Sequence, residues 1–274
     1  MVTFIRLDLS LRYKKKDGFN VISWLSKLIE YGGLLFTDRV IAVNTAIREE
    51  IIETIGRWKK MEIEVLFNNI PEIRSSSVED ILQTRKFLGI PENAKIFVTA
   101  GVLTPRKNIE ILLRSFSKIG RHDFFLVIVG DSTQKEGLRY RDYLEALIHK
   151  LGLTRNVIIT RWVRKEELWK ILEASDLFVL PSLKEGMPNV MLEALGFDLP
   201  CLGSRIPGII DILQYEELMF DPLDEEAIVD KVNRVFSDVQ YSNYIVSLCR
   251  ERKEVFIFDW KERVFLLATQ GILS

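Results

Sequence analysis

The sequence predicts an α/β protein: a complete, doubly wound parallel-sheet domain over residues 86–274, preceded by a partial α/β domain over residues 1–85. Three observations carry this. From Lys95 onward, apolar runs that read as buried strands alternate with amphipathic helical stretches, the pattern of a parallel sheet covered on both faces. Only about ninety residues precede that alternation, room for about three strands and two helices. The 274 residues are 47% hydrophobic and 28% charged, the balance of an ordinary globular chain.

Each element follows from local signals. Thr3 to Leu9 reads as a strand. Val21, Trp24, Leu25, Leu28 and Ile29 recur at helical spacing and define an amphipathic helix. Val40 to Val43 is a short apolar strand. Ile47, Ile51, Ile52 and Ile55 then line one face of a helix capped by Thr45 and stopped by Gly56. Glu62 to Phe67 is the next strand, and strand, helix, strand in that order implies a right-handed parallel unit. Ser75 to Ser77 reads as a linker before the helical Ile81 to Leu88.

The regular part opens with the strand Lys95 to Ala100 and a helix facing inward through Ile109, Leu112, Leu113, Phe116 and Ile119. The strand Phe124 to Val129, the helix Tyr140 to Leu151, the strand Val157 to Thr160 and the helix Lys165 to Ala174 follow. Next come the strand Asp176 to Leu180, an apolar helix within Met187 to Phe197, and the strands Pro200 to Gly203 and Leu218 to Phe220. The helix Asp224 to Phe236 and two closing helices, Tyr241 to Glu254 and Trp260 to Thr269, complete the chain.

Composition removes several function classes. A net charge of −1 carries no bulk basic signal, so no nucleic-acid partner is expected. Cys201 and Cys249 have neither metal-ligand nor redox spacing and read as reduced, buried thiols. No apolar run approaches the ~20 residues of a membrane-spanning helix, and a cytoplasmic location is expected. Lys14 to Phe36 mixes basic residues with an apolar helix face. Either that face makes peripheral membrane contact, or it is one left exposed by a shortened domain. The Asp, Glu and His positions show no metal spacing, and no cofactor is called for. His122 and His149 lie away from the strand ends that matter and offer no acid–base group there.

Open α/β sheets bind ligands at the carboxyl ends of their strands, and four loops fall there. In the loop Gly101 to Lys107, the glycine permits close backbone approach. Arg106 and Lys107 open the next helix, an unfavourable place for cations unless an anion such as a diphosphate binds beside them. Solvated surface side chains are the alternative. The second loop, Gly130-Asp131-Ser132, reads as a cap or turn. The third, Pro181 to Leu195, holds Glu185 and Glu193 with seven residues between them. Glu193 is the one ionisable group from Met187 to Phe197 and shares a helical face with Asn189. A carboxylate so placed needs a partner, either ligand hydroxyls or a nearby Lys or Arg. The fourth, Ser204 to Ile212, carries Pro207, Gly208 and Asp211 and is either an anion-facing backbone or a plain turn.

The stretch E-G-M-P-N-V-M-L-E-A-L resembles the paired-Glu motif of the glycosyltransferases of family four, retaining enzymes with the two-domain GT-B fold. L-T-P-R-K-N-I-E-I-L-L-R-S-F resembles their diphosphate loop and its helix, and L-V-I-V-G-D the strand that follows. A-S-D-L-F-V-L-P-S resembles the lead into the motif, and P-G-I-I-D-I-L the segment beyond the next strand. D-R-V-I-A-V-N and V-L-F-N-N-I-P resemble the last strands of the N-terminal domain, so the likeness covers about residues 36–270.

The resemblance implies a GT-B-like fold. It also implies transfer of a sugar, with retained configuration and without a metal, from a nucleotide-diphosphate sugar to an unknown glycan, lipid or small-molecule acceptor. Polysaccharide or glycoconjugate biosynthesis is the setting it implies. Glu185 would contact the donor sugar, with Gly186, Met187 and Pro188 beside it, and Glu193 would bind the ribose hydroxyls. Lys107 would hold the diphosphate, with Gly101, Thr104 and Arg106 in the same loop. The chain departs from the family at Val102, which stands where the family has Arg; Arg106 is the candidate substitute. It departs again at Ile210-Asp211, in place of Pro-Glu, and in a shortened acceptor-side domain. Val102 and the shortened domain support a second reading: a nucleotide-sugar-binding module without independent activity, truncated or completed by a partner chain. A sugar-nucleotide epimerase of the same architecture is a third.

Overall fold

Parallel pairing runs through both sheets of the computed structural model, which describes residues 2–5, 32–34, 36–37, 39–55 and 62–269. The α/β fold class expected from the sequence is the one found. The chain divides into two compact units. One comprises Met1–Asn69, Glu185–Pro188 and Phe258–Ser274; the other comprises Ile70–Lys184 and Asn189–Ile257.

The first unit holds a three-stranded sheet in the order β1 (Val2–Ile5), β2 (Arg39–Ala42), β3 (Glu62–Val65), with helix α1 (Thr45–Ile55) between the last two. Val40, Ile41, Ala42, Ile47 and Ile51 are buried, which is the apolar surface that drives this layer together. Two local expectations are corrected. Asn44, not Thr45, caps the helix: its Oδ1 accepts the Ile47 N–H at 2.7 Å, three residues on as an N-cap requires. Ile52 is exposed rather than inward-facing, because a residue next to Ile51 points about 100° away round the helix. The closing helix Trp260–Thr269 belongs to this unit, where the Arg39 guanidinium bonds the Leu267 carbonyl and pairs with Glu62 at 2.6 Å. The strand predicted over Thr3–Leu9 is described as far as Ile5. The helix around Trp24, the stop at Gly56 and most of the Lys14–Phe36 segment lie outside the described residues.

The second unit holds six strands: β4 (Lys95–Ala100), β5 (Phe124–Val129), β6 (Val157–Arg161), β7 (Leu177–Leu180), β8 (Cys201–Ser204) and β9 (Met219–Phe220). Their spatial order is β6-β5-β4-β7-β8-β9. The chain winds outward from β4 to β6, returns to lay β7 beside β4, and winds outward the other way. The switch point therefore falls between β4 and β7, where a doubly wound sheet opens a crevice at its carboxyl ends. Helices α2 (Val78–Phe87), α3 (Ile109–Ile119), α4 (Lys135–Lys150), α5 (Lys165–Glu173), α6 (Asn189–Gly196), α7 (Ile210–Leu213), α8 (Glu225–Ser237) and α9 (Val239–Val255) connect and cover the strands.

Beneath α3 and α8, the rings of Phe97, Phe116, Phe124 and Phe236 touch edge-on or tilted, with centroids 5.0 to 5.7 Å apart, arrangements the ring quadrupoles favour. Helix α4 begins at Lys135, five residues before the expected Tyr140. Gly137 hid its first turn by lowering helix propensity. A Cβ there would lie 2.0 Å from Ser132 Oγ and 2.5 Å from the Leu103 carbonyl, so close packing demands the glycine. Cys201 and Cys249 are free buried thiols, and burial pushes the Cys249 thiol up to about 11. Among the described residues no helix is long and apolar enough to cross a membrane.

Candidate functional site

Three strand ends of the second unit are stitched together by backbone hydrogen bonds. Gly101 donates to Val129 at 2.9 Å, Leu103 to Asp131 at 3.0 Å, and Gly130 to Arg161 at 3.1 Å. Gly101 (φ 146°) and Gly130 (φ 135°) adopt conformations that L side chains rarely reach. A Cβ on Gly130 would lie 2.1 Å from the Gly101 carbonyl oxygen, so the close approach of β4 and β5 depends on it. Arg161 also has positive φ, at 63°, and this left-handed residue turns the chain into Trp162 and Val163.

Arg106 and Lys107 do not open the next helix, as the sequence suggested. They sit in a separate 3-10 turn, Pro105–Lys107, and left-handed Asn108 divides that turn from α3. Lys107 is buried, with its Nζ beside Gly101: a Cβ on Gly101 would meet that nitrogen at 2.8 Å. This overturns the solvated-surface alternative for Lys107. Asn108, which sequence reasoning missed, donates through Nδ2 to the Pro181 carbonyl at 3.2 Å and the Pro222 carbonyl at 2.7 Å. Arg106 donates to the Lys184 carbonyl at 2.9 Å while its own carbonyl accepts from Leu183 at 2.8 Å. The loops after β4 and β7 are thereby clamped to each other at the switch point. The Thr104 hydroxyl oxygen is buried without a hydrogen-bond partner among the described residues.

A cavity of about 310 Å³ opens over these strand ends, lined by Gly101, Val102, Gly130, Trp162, Lys165 and Val190 among others. Asp131, next to the lining residue Gly130, does more than the cap or turn expected of it. Buried, it takes Arg141 Nη1 on both oxygens at 3.0 and 3.2 Å, with Arg161 Nη1 at 3.8 Å. Glu193 lies on α6, its side chain 12% exposed, with Lys165 Nζ 3.9 Å from Oε1. Burial raises the Glu193 carboxyl above its ordinary value, and Lys165 and then the Trp169 indole oppose that rise. The Lys or Arg neighbour weighed from the sequence is therefore present.

Glu185, Gly186, Met187 and Pro188 belong to the first unit. There the Asn44 amide donates to the Gly186 carbonyl at 2.6 Å, and the Asn68 N–H meets Met187 Sδ at 3.1 Å. Asn44 thus caps α1 with one side-chain atom and holds the motif's backbone with the other. At Ser204 to Ile212, Pro207–Ile209 forms a 3-10 turn leading into α7. The buried Arg252 caps that helix's carbonyls at Ile212 and Asp211, at 2.7 and 3.0 Å. His122 precedes β5 and His149 ends α4, both exposed.

The family model described as Glycosyl transferases group 1 matches residues 80–251, more than half of the chain. The chain belongs to that family. An uncharacterised glycosyltransferase of Methanocaldococcus jannaschii is 30% identical over 234 residues, 83% of this chain and 58% of that protein. The UDP-Gal:alpha-D-GlcNAc-diphosphoundecaprenol alpha-1,3-galactosyltransferase of Escherichia coli is 28% identical over 251 residues, 87% of this chain and 60% of that protein. The chain spans about three-fifths of the length of the curated relatives it matches. Among solved structures, HepE of Anabaena in complex with UDP and glucose superposes with a TM-score of 0.82 at 20% identity. That match covers 98% of this chain and 70% of HepE, and it supports the GT-B-like fold of this Glycosyl transferases group 1 chain.

Proposed function

We propose that the protein transfers a sugar from a nucleotide-diphosphate sugar to an acceptor with retained anomeric configuration, as a member of glycosyltransferase family four. The observation that carries this reading is the cavity over the strand ends, with buried Lys107 against its lining residue Gly101 and the largely buried Glu193 side chain 3.9 Å from its lining residue Lys165. A cation and a hydroxyl acceptor presented within one unit match the diphosphate and ribose of such a donor. The second unit is the donor-binding part. Within that unit, Glu193 accepts from the ribose hydroxyls, and Lys107 holds the diphosphate with Gly101 and Thr104. Arg106 contributes by fixing the loop through Lys184.

In the reaction the bond from the anomeric carbon to the diphosphate oxygen breaks, and one from that carbon to an acceptor oxygen forms. The acceptor's hydroxyl proton passes to the departing diphosphate oxygen, so that a free nucleoside diphosphate is released. Charge gathering on the departing diphosphate is met by the fixed Lys107 ammonium and backbone N–H groups, which cost no reorganisation at that moment. The family parallels extend to UDP as the nucleotide, since HepE is seen with it, and to a membrane-linked or glycan acceptor.

Calorimetry with UDP, GDP and ADP tests donor binding; no binding of any of them removes the reading. Incubation with nucleotide sugars and mixed acceptors tests transfer, and the anomeric coupling in the product's NMR spectrum tests retention. Val102, 43% exposed on the cavity and uncharged, favours the second reading, a binding module without activity of its own. Tight nucleotide binding with no diphosphate released would select it.

A further inference from the structure

Lys165 occupies a position that helix electrostatics do not favour. It is the first residue of α5, where a cation opposes the positive end of the helix dipole. Two contacts compensate. Its ammonium stands 4.6 Å from the centroid of the Trp169 ring, one turn along the same helix, a cation–π geometry. It also stands 3.9 Å from Glu193 Oε1 on the neighbouring helix. Trp169 is braced in turn by an edge-on contact with Phe197 at 6.0 Å. Its Nε1 is buried and makes no hydrogen bond among the described residues, yet it acts on Glu193 in the sense that favours the carboxylate.

We propose that Lys165, held over the Trp169 ring, is a positioning residue that keeps the buried Glu193 side chain a charged acceptor for ligand hydroxyls. The inference rests on the reading of Glu193 as the ribose ligand. A vicinal diol offers two O–H donors, which a carboxylate can accept together and a protonated acid cannot meet equally. Burial alone works toward the protonated form. Lys165 supplies the opposing field, while elsewhere on α5 Glu167 pairs with Arg164, Lys170 with Asp80, and Glu173 accepts the Ser76 N–H. From α9, Arg250 and Lys253 pair with Asp198 beyond the end of α6. Strands β7 and β8 bring no ionisable group but the Cys201 thiol.

The test uses the whole chain as unmutated protein, Lys165→Met and Lys165→Arg. The Glu193 carboxyl is followed by carbon NMR through an acid titration, and UDP, GDP and ADP affinity is measured at pH 5 and pH 8. In Lys165→Met the Glu193 midpoint should rise by on the order of half a pH unit. Nucleotide affinity should then fall about two- to threefold at pH 5 and hardly at pH 8. Lys165→Arg should restore both. An unmoved midpoint overturns the inference, and so does an affinity loss equal at both pH values, which would make Lys165 a direct ligand contact. A midpoint that moves in a protein binding none of the three nucleotides supports Lys165 as the group that holds Glu193 charged and removes the functional reading instead.

Discussion

At the scale of single residues, the two glycines that end β4 and β5 make separable predictions. A Cβ at Gly130 meets backbone, the Gly101 carbonyl at 2.1 Å, and nothing there can yield cheaply. With the φ strain of about 1–3 kcal/mol added, Gly130→Ala should cost at least about 3 kcal/mol of stability in a denaturant titration. A Cβ at Gly101 meets instead the tip of Lys107, which can swing aside. Gly101→Ala should therefore cost stability mainly through φ, about 1–3 kcal/mol, while losing nucleotide affinity because the ammonium is displaced. Equal effects of the two variants on binding and stability would contradict this assignment.

Glu193 predicts a conflict between stability and function. Its folded-state carboxyl is raised by burial, so its contribution to stability is fully present when protonated and is lost as pH rises. Glu193→Gln should accordingly be more stable than the unmutated protein at pH 7, with the advantage shrinking toward pH 4. Nucleotide affinity should drop about ten- to a hundredfold, the worth of a charge-assisted hydrogen bond. Thermal melts at the two pH values, with calorimetry at pH 7, check both halves.

At the scale of elements, α2 is held without a buried residue of its own. A capping box of Ser77 and Asp80 starts it, Lys170 pairs with Asp80 at 2.6 Å, and Arg85 reaches the carbonyls of Glu92, Ala94 and Ala174 at 3.0, 2.8 and 2.7 Å. The Lys170 ammonium and the Ser77 bonds hold the Asp80 carboxyl down from 3.8 to about 2. A depressed carboxyl stabilises above its unfolded value, and that contribution is lost as pH falls through the folded one. Hydrogen exchange in α2 should accelerate selectively between pH 3.8 and about 2, and Asp80→Asn should exchange fast throughout.

The same elements show what could be read in the sequence. The central strands of the large sheet were legible because Phe124–Val129 and Leu177–Leu180 are solid apolar runs, and the paired glutamates because Glu193 breaks such a run. The burial of Lys107 was not, since it depends on left-handed Asn108 reaching Pro181 and Pro222, residues far along the chain. Nor was the cavity wall at Trp162 legible. It exists because Arg161 turns with positive φ against buried Asp131 and its partner Arg141, and none of these carries a local signal for that turn. Asn44 was read past for Thr45, its neighbour and an equally good cap by type.

At the scale of the whole molecule, the sheet order and the family match bear on one question, whether ligand binding is seated in the second unit. All the lining of the candidate cavity comes from Ile70–Lys184 and Asn189–Ile257, which also contain nearly all of the residues that the family model matches. A ligand that binds only the folded state stabilises it by about 2.7 kcal/mol at a hundred times its Kd. For a unit of this size that amounts to a rise in Tm of about 5–10 °C. UDP, or whichever nucleoside diphosphate binds, should produce that rise, and Glu193→Ala should abolish most of it. Hydrogen exchange should then gain protection at residues 101–107, 161–169 and 189–196, with the amides of α1 unchanged. Protection that appeared first in α1 would move the nucleotide away from the switch point, and the roles of Lys107 and Glu193 would go with it.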